Sequence, residues 1–172
     1  MRVHVLDDWF DTLRGLPCFD LLSGHDVTVW TDPEPDPARL ARRLTEAKVL
    51  CLFRERTAVG DDLLARLPAL RLISGRGAWP HVDVAACTRR GVLFCSAPHG
   101  DAPAHAAAEL TLALILASHR QIPAQVASLR RGDWQAGIGR TLHGRRLGLL
   151  GYGRIARAVA GYADALGMEV QW

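Results

Sequence analysis

The amino-acid sequence predicts an α/β protein organised around a doubly wound parallel sheet. Short apolar runs alternate with helical segments through residues 1–98, and this alternation is typical of βαβ units. The chain of 172 residues is 49% hydrophobic and 23% charged, as in globular domains that bury a core. A glycine turn between a strand and a helix then begins another unit within residues 140–172.

Five short apolar runs are the predicted strands of the first unit. They are Arg2–Leu6, Asp26–Trp30, Val49–Phe53, Leu70–Ser74 and Val92–Cys95. Such compact runs fit strands that are covered on both faces.

Helices are predicted between the later strands, at Ala38–Ala47, Asp61–Leu67 and Val82–Arg90. Pro37 suits the first turn of the first helix, and Gly91 ends the third. Together with the strands, they predict a flavodoxin-like doubly wound parallel sheet over residues 1–98.

The middle of the chain predicts two helices without strands. Gly, Pro, Asp and His residues over Pro98–Pro103 mark a connection, and a long helix follows at residues 104–120. This helix is apolar on nearly every side, which is typical of helices buried between layers or subunits. Pro123 ends or kinks it, and a second helical run continues to Arg131. We therefore expect a homodimer formed through helix 104–120.

The last segment predicts a strand, a helix and another strand. The strands are Arg145–Leu150 and Glu169–Trp172, and the helix between them runs over Arg154–Leu166 before Gly167. The turn before the helix has the pattern GxGxxA, formed by Gly151, Tyr152, Gly153, Arg154, Ile155 and Ala156.

This pattern in this setting is the dinucleotide-binding fingerprint. Gly151 permits the tight turn, Gly153 lets backbone N–H groups approach a pyrophosphate, and Ala156 lets the helix pack closely on its strand. The alternative is an ordinary strand-to-helix turn that happens to contain glycines. An acidic residue for the ribose is expected about 20 residues on, at or past Trp172, and Glu169 lies too early. Both NAD and NADP therefore stay open.

The composition argues against several other classes of protein. The net charge of +3 is small, and the pairs Arg130–Arg131 and Arg145–Arg146 are not interleaved with aromatic residues, so we expect no nucleic-acid partner. The most apolar stretch, Ala106–Ala117, is interrupted by Glu109 and is too short to span a bilayer. With no secretory h-region at the N-terminus, we expect a soluble cytoplasmic protein without a membrane partner.

The cysteines show no pattern of a metal site. Cys18, Cys51, Cys87 and Cys95 form no CxxC pair, and we expect buried free thiols and no bound metal.

Three segments resemble the D-isomer-specific 2-hydroxyacid dehydrogenases, especially the phosphoglycerate dehydrogenase-like members and their N-terminal portion. They are LRLISGRGAWPHVDVAACTRRGVLFCSAP (Leu70–Pro98), AAAELTLALILASHRQIPAQVASLRRGDW (Ala106–Trp134) and LHGRRLGLLGYGRIARAVAGYADALGMEV (Leu142–Val170). They cover about half of the chain in the family's order.

The resemblance implies a domain plan and an activity. It implies a substrate-binding domain over residues 1–98, interdomain helices over 99–139, and the start of a truncated NAD(P)-binding Rossmann domain over 140–172. The implied enzyme transfers a hydride between a nicotinamide cofactor and a small D-2-hydroxy or 2-keto acid. The alternative is a non-catalytic dimerising or regulatory module on the same scaffold.

The resemblance also implies binding residues. Arg154 and Ile155 match positions whose backbone meets the cofactor pyrophosphate. The loop Ser74–Ala78 matches the one whose backbone amides face the substrate carboxylate and the nicotinamide. The substrate-binding residues that this implies are Arg76, Gly77 and Ala78, and Gly77 is also implied to bind the cofactor. The family usually has a GxGxD-like run here, whereas this chain has Arg76-Gly77-Ala78-Trp79-Pro80. Arg76 either pairs with a substrate carboxylate or points into solvent.

No catalytic residue is assigned in this chain. In the family the catalytic Arg, Glu and His lie after the position of Trp172, so we expect the chain alone to be inactive. The histidines near turns or on helices, namely His81, His99, His105, His119 and His143, are interpreted as structural or solvated. Asp83, close to His81, is interpreted as a helix cap.

Overall fold

The computed structural model describes residues 1–97 and 105–172 and divides into two compact units. The first unit is Met1–Gly100 and the second is Asp101–Trp172. The predicted connection at Pro98–Pro103 lies outside the described residues, as does Ala104, the predicted start of the long helix.

A five-stranded sheet forms the centre of the first unit. Its strands are β1 (Arg2–Val5), β2 (Asp26–Val29), β3 (Val49–Cys51), β4 (Leu72–Arg76) and β5 (Leu93–Ala97). All neighbouring strands are parallel, in the order β2-β1-β3-β4-β5. This is the order of flavodoxin-like doubly wound sheets, so the predicted fold class is confirmed.

The helices of the first unit are shorter than the sequence predicts. They are α1 (Pro37–Arg43), α2 (Asp61–Leu64) and α3 (Val84–Arg89). After α1 and α2 the hydrogen bonds join residues three positions apart, as in a 3₁₀ helix. Ala47 N donates to Leu44 O, and Leu67 N donates to Leu64 O. Such tight turns commonly finish a helix, so the predicted ends at Ala47 and Leu67 are wrong by one turn.

Two 3₁₀ helices, Leu13–Gly15 and Pro17–Leu22, connect β1 to β2 where the sequence predicts no regular element. The buried Asp8 organises their start, because its carboxylate accepts hydrogen bonds from Thr12 N at 3.1 Å and Leu13 N at 2.9 Å. Burial alone would raise the pKa of Asp8, but the hydrogen bonds from Leu13 and Thr12 outweigh it and lower the pKa. Short polar side chains that bond to nearby backbone commonly fix such turns.

The core of the first unit lies between one face of the sheet and its helices. Leu44 after α1, Leu50 on β3 and Ile73 on β4 are fully buried in one hydrophobic cluster. Leu50 and Ile73 are register partners, so they point to the same face. The connections from β2 to β3, from β3 to β4 and from β4 to β5 all run in the same direction across the sheet. Because such crossovers are right-handed, their helices α1, α2 and α3 all pack on this face.

The opposite face is covered unevenly. Val3 on β1 is 2% exposed, whereas Leu93 on β5 is 62% exposed. Val3 and Leu93 lie on the same face of the sheet, because successive register partners connect them through Val49 and Leu72. The prediction that every strand is covered on both faces therefore holds for β1 and β3 and is wrong for β5.

The described residues of the second unit, 105–172, form three helices and a pair of strands. They are α4 (His105–His119), α5 (Ile122–Arg130), β6 (Arg146–Gly148), α6 (Arg154–Ala165) and β7 (Glu169–Gln171). β6 and β7 are parallel, with Leu147 opposite Val170. Pro123 lies in the first turn of α5 rather than inside α4, a position where its missing N–H leaves no bond unmade.

Gly167 ends α6 as predicted. Its φ of 68° is left-handed, and the bonds Gly167 N to Asp164 O and Met168 N to Ala163 O form a Schellman motif. The chain then turns directly into β7.

α4 packs against α5 and α6, yet much of its apolar surface stays open. Leu110 and Leu114 are 60% and 61% exposed, and Ala108 is the buried residue of this helix. Within the second unit, α4 is therefore apolar without being enclosed.

An arm without regular secondary structure, at residues 133–140, is held against the α4–α5 junction. Ser128 Oγ donates to Trp134 O at 2.8 Å, and Gln125 Nε2 donates to Gly137 O at 2.8 Å. A Cβ on Gly139 would come within 2.6 Å of Arg120 Cα, so only glycine allows this close approach. The arm leaves the side chains of Trp134 and Ile138 exposed.

The four cysteines are free, as expected, but they differ in burial. Cys87 is buried and Cys51 is half-buried, whereas Cys18 and Cys95 are exposed. The prediction of buried thiols is wrong for Cys95, which lies on the uncovered face of β5, and for Cys18, which lies on a surface 3₁₀ helix. In the part of the chain that the structure describes, no helix is long and apolar enough to cross a membrane.

Candidate functional site

The predicted phosphate-binding turn lies between β6 and α6. Gly151 has a φ of 87°, which strongly favours glycine. Gly153 is the N-cap of α6 and makes no side-chain cap. A Cβ added to either glycine would meet no atom within 4 Å, so the space over the turn is open to a ligand.

Backbone donors at this turn are available. The amides of Gly153, Ile155 and Ala156 donate no hydrogen bond to any residue in the ranges 1–97 and 105–172. α6 is 12 residues long, and its N-terminus carries the partial positive charge of the helix dipole. Open space, unpaired N–H groups and a positive helix end are the features by which a helix N-terminus binds an anion, and binding of a pyrophosphate at this turn stays a prediction.

α6 is anchored in the second unit by its other face. Val159, Ala160 and Ala163 are buried, while Tyr152 and Ile155 at the turn are exposed. The buried face therefore holds the helix in place, and the exposed N-terminal turn stays accessible.

An aromatic pair beside the turn was not expected from the sequence. The rings of Tyr152 and Trp172 stack with their centroids 4.5 Å apart and their planes 23° apart. Glu169, by contrast, lies at the amino end of β7 opposite Arg146, with Arg146 Nε 3.6 Å from its carboxylate. Glu169 is thus at the end of the strand remote from the glycine turn.

The second predicted set, Arg76, Gly77 and Ala78, follows β4 in the first unit. Arg76 is the last residue of β4 and pairs with Ala97. Gly77 has a φ of 84° and donates its N–H to Ala97 O at 3.0 Å, while its own carbonyl accepts from Ser96 Oγ at 2.8 Å.

These bonds decide which groups of the turn can face a ligand. The Gly77 amide is bonded to Ala97 and is therefore not free to donate to a ligand. Arg76 is the residue of this set that carries a positive charge. Trp79 beyond the turn packs edge-on against Phe94, with centroids 5.9 Å apart. The roles of Gly77 and Ala78 in binding stay predictions.

The histidines of the described ranges differ in burial and in their partners. His105 is exposed at the start of α4, and the His143 ring packs against Gly167. His81 has both ring nitrogens buried without a hydrogen-bond partner among the described residues, as has His119 at Nδ1. His99 lies outside the described residues.

Asp83 is a helix cap, as predicted from its place near a helix start. Its carboxylate accepts from Ala86 N at 2.8 Å at the beginning of α3. No group of three or more His, Cys, Asp or Glu residues that could hold a metal ion occurs in the described ranges.

His4 is a buried polar residue that the sequence did not single out. It lies on β1, and its Nδ1 accepts a hydrogen bond from Trp30 Nε1 at 3.1 Å. Desolvation by burial lowers the pKa of His4. A clue in the sequence is the apolar run around it, which a neutral imidazole joins more easily than a charged one.

Comparison with known proteins identifies the class of protein to which this fold and turn belong. Residues 10–168 match the family model of the D-isomer specific 2-hydroxyacid dehydrogenase catalytic domain. The chain therefore belongs to the D-isomer-specific 2-hydroxyacid dehydrogenase family, and the resemblance drawn from its three segments is confirmed.

Phosphoglycerate dehydrogenases are among its similar relatives. The chain is 41% identical over 151 residues to D-3-phosphoglycerate dehydrogenase of Mycobacterium tuberculosis, covering 86% of this chain and 28% of that protein. The solved phosphoglycerate oxidoreductase of Vibrio cholerae is 42% identical, with a TM-score of 0.92 over 99% of this chain and 55% of that chain.

The description of a more distant solved relative names a cofactor. It is from Polaromonas and is described as a D-isomer specific 2-hydroxyacid dehydrogenase, NAD-binding. It is 27% identical, with a TM-score of 0.82 over 98% of this chain and 53% of that chain. The chain thus spans about half the length of these solved relatives and 28% of the curated one.

Proposed function

We propose that this chain is part of an NAD(P)-dependent oxidoreductase that transfers a hydride between a nicotinamide cofactor and a small D-2-hydroxy or 2-keto acid. Family membership supports the reaction class. The observation that carries the proposal is the open turn at the start of α6, where unpaired amides surround a space that a side chain would fill. A diphosphate is the anion that this arrangement fits.

The cofactor would be held by the turn from Gly151 to Ala156. Gly151 and Gly153 would leave room for the pyrophosphate, and the amides of Ile155 and Ala156 would donate to its oxygens. The bound nicotinamide would supply the hydride. NAD and NADP are both compatible with this turn, and the relative described as NAD-binding supports a nicotinamide cofactor in general.

The substrate would bind at the turn after β4, in the domain proposed for residues 1–98. The Arg76 guanidinium would pair with the substrate carboxylate, since guanidinium and carboxylate match in geometry and charge. The bond from Gly77 N to Ala97 O would hold the turn in place, leaving Gly77 and Ala78 without bulky side chains against the substrate and nicotinamide. This chain supplies no residue to which we assign proton transfer.

The remaining parts of the domain plan are also proposals. Residues 99–139 would be interdomain helices, and residues 140–172 would begin the NAD(P)-binding Rossmann domain. We further propose a cytoplasmic homodimer, in which the open surface of α4 around Leu110 and Leu114 is covered by a second copy.

The same open surface favours the alternative of a non-catalytic dimerising module on this scaffold. The double variant Leu110→Arg and Leu114→Arg would place charge in the contact, and sedimentation would then show a monomer where the wild type is a dimer. The control is Leu21→Arg, because Leu21 is exposed on a 3₁₀ helix of the first unit, and this variant should leave the dimer intact. A wild type that is monomeric at all concentrations would contradict the interface.

Calorimetric titration of the chain with NADH and NADPH tests the cofactor site. We expect weak binding that is lost in Gly153→Val, because the new side chain occupies the space over the turn. Gly161→Ala is the matched control, since a Cβ there also meets no atom within 4 Å but lies in the middle of α6. Equal binding by Gly153→Val and wild type would contradict the cradle, and absence of binding to any of the three would favour the non-catalytic module.

A further inference from the structure

A small cavity lies in the first unit, at the carboxyl ends of β1, β2 and β3. Its volume is about 290 Å³, and Asp7, Trp9, Glu34, Arg56 and Thr57 contribute its polar and aromatic lining. β1 and β3 are neighbours, and the connection after β1 runs to β2 on one side, whereas the connection after β3 runs to β4 on the other side. Ligands of doubly wound sheets bind at such a switch point, outside the carboxyl ends of the strands.

This cavity is in a different place from the turn that follows β4. None of Arg76, Gly77 and Ala78 lines it. β3 separates β1 from β4, which puts about 10 Å between the ends of those two strands because adjacent strands are ~4.8 Å apart. The cavity is therefore not explained by the proposed substrate turn.

Two shielded carboxylates face the cavity. Asp7 is 5% exposed, and the side chain of Glu34 is 8% exposed. Asp7 Oδ2 accepts from the Thr57 hydroxyl at 2.8 Å, whereas Asp7 Oδ1 has no hydrogen-bond partner among the described residues. Carboxylates withdrawn from water are stable only with compensating partners, so Asp7 has capacity left for a donor.

Glu34 is already partly compensated. One of its oxygens lies 3.6 Å from the guanidinium of Arg43, and the other accepts from Asp36 N at 3.1 Å. Asp7 has no ion pair in the described ranges. The unmatched negative charge in the lining therefore belongs to Asp7.

Arg56 brings positive charge to the same cavity. Its guanidinium lies 3.7 Å from the centre of the Trp9 ring and donates Nη1 to Asp7 O at 2.6 Å. A guanidinium has five N–H donors, so this bond and the ring contact position Arg56 while leaving donors for an anion. Stacking on an aromatic face is a common way to hold such a group.

The opposite charges decide the class of ligand. A simple anion would be attracted by Arg56 but repelled by the carboxylates of Asp7 and Glu34. A simple cation would be attracted by the two carboxylates but repelled by Arg56. A molecule with both charges meets a partner at each end. Three prolines and two leucines supply apolar walls, and the volume suits a ligand at the small end of the usual range.

We infer that this cavity binds a small zwitterion of the α-amino acid class, with its ammonium on Asp7 and its carboxylate on Arg56. The short aliphatic side chain of such a ligand would lie against the proline-rich segment that precedes α1. The inference does not depend on the proposed dehydrogenase activity, because it uses residues of the first unit alone.

Titration of the ¹⁵N-labelled full chain with L-alanine tests it. Propionate and ethylamine are the half-probes, since each keeps one charge of L-alanine and a similar carbon skeleton. We expect saturable shifts of the Thr57 and Ala58 amide signals with L-alanine, and roughly tenfold or greater weakening with either half-probe, because each loses one charge pair. Propionate binding as tightly as L-alanine, or no shift at these amides, would overturn the inference.

Two variants test the binding of the ammonium and of the carboxylate separately. Asp7→Asn keeps an acceptor for Thr57 and tolerates the φ of 64° at this position, and Arg56→Gln removes the guanidinium. Both should weaken L-alanine binding, the first while leaving propionate unchanged and the second while leaving ethylamine unchanged. Asp11→Asn is the control, because Asp11 has a φ of 49° in the same loop but does not line the cavity.

Equal weakening in Asp7→Asn and Asp11→Asn would overturn the assignment of the ammonium site. Circular dichroism and thermal unfolding of each variant establish that it is folded. Because this titration contains no nicotinamide, its failure is separate from failure of the proposed dehydrogenase function.

Discussion

The two compact units use parallel strands of similar length but enclose their apolar side chains to different degrees. In Met1–Gly100, five strands and their helices surround one continuous cluster that includes Leu50, Val59 and Ile73. In the described part of the second unit, residues 105–172, two strands and three helices bury mostly small residues, and leucines of α4 stay exposed. A sheet needs several strands before it can shield a helix layer.

The two units also differ in net charge. Residues 1–100 contain equal numbers of basic and acidic residues, whereas residues 101–172 contain eight arginines and five acidic residues. The second unit is thus the more open and the more cationic. An excess of positive charge suits a part of the molecule that we propose to bind a diphosphate.

Amide hydrogen exchange should separate the units most strongly. We expect the Leu50 amide to be protected about 10³-fold or more above the Leu147 amide, because a stable core contributes at least ~5 kcal/mol whereas β6 lies in a two-stranded sheet. The same reasoning predicts that residues 140–172 are poorly stable in an isolated monomer. Strong protection over Leu147–Leu150 in a proven monomer would remove the contrast.

Truncation of one leucine in each unit should give the next largest difference. Leu50→Ala should lower the free energy of unfolding by about 2–5 kcal/mol, since Leu50 is fully buried. Leu114→Ala should change it by less than about 0.5 kcal/mol, because Leu114 is largely exposed. Urea denaturation at concentrations where the chain is monomeric measures both, and similar losses would show that α4 is enclosed in solution.

The smallest expected effect is a pH dependence within the first unit. Burial lowers the pKa of His4 below its ordinary value of 6.5, so the folded state favours the neutral ring. The stability from neutral His4 is therefore fully present above pH 6.5 and is lost as the pH falls through the folded pKa.

His4→Gln should flatten this part of the stability profile, because glutamine keeps a polar group near Trp30 without titrating. The carboxyl of Asp8, whose pKa is lowered below 3.8, affects only a more acidic range. Thermal unfolding between pH 7 and pH 5 makes the comparison. An unchanged profile in His4→Gln would assign the pH dependence to another group.

Much of the fold and of the proposed cofactor-binding turn was predictable because both depend on local patterns. The alternation of apolar runs and helical segments predicted the five parallel strands, and Gly91 and Gly167 marked helix ends. The turn from Gly151 to Ala156 was visible as a motif because glycine spacing directly reflects backbone conformation.

Other features depended on contacts between distant residues. The helices α1 and α2 end early because their last turns tighten, which propensity alone does not indicate. The bond between Gly77 and Ala97 and the stacking of Tyr152 on Trp172 each join residues about 20 positions apart in sequence. The cavity at Asp7 and Arg56 joins residues 49 positions apart.

The sequence by itself determined the class of fold, the order of elements and the place of the glycine turn that we propose to bind a diphosphate, because periodicity and glycine conformation act over a few residues. The tertiary structure decided which faces are covered, which amides are already bonded and which charges share a cavity. Those properties follow from the packing of segments that are remote in the chain, so the exposure of Leu93 and the burial of His4 and Asp7 are decided only when the sheet assembles.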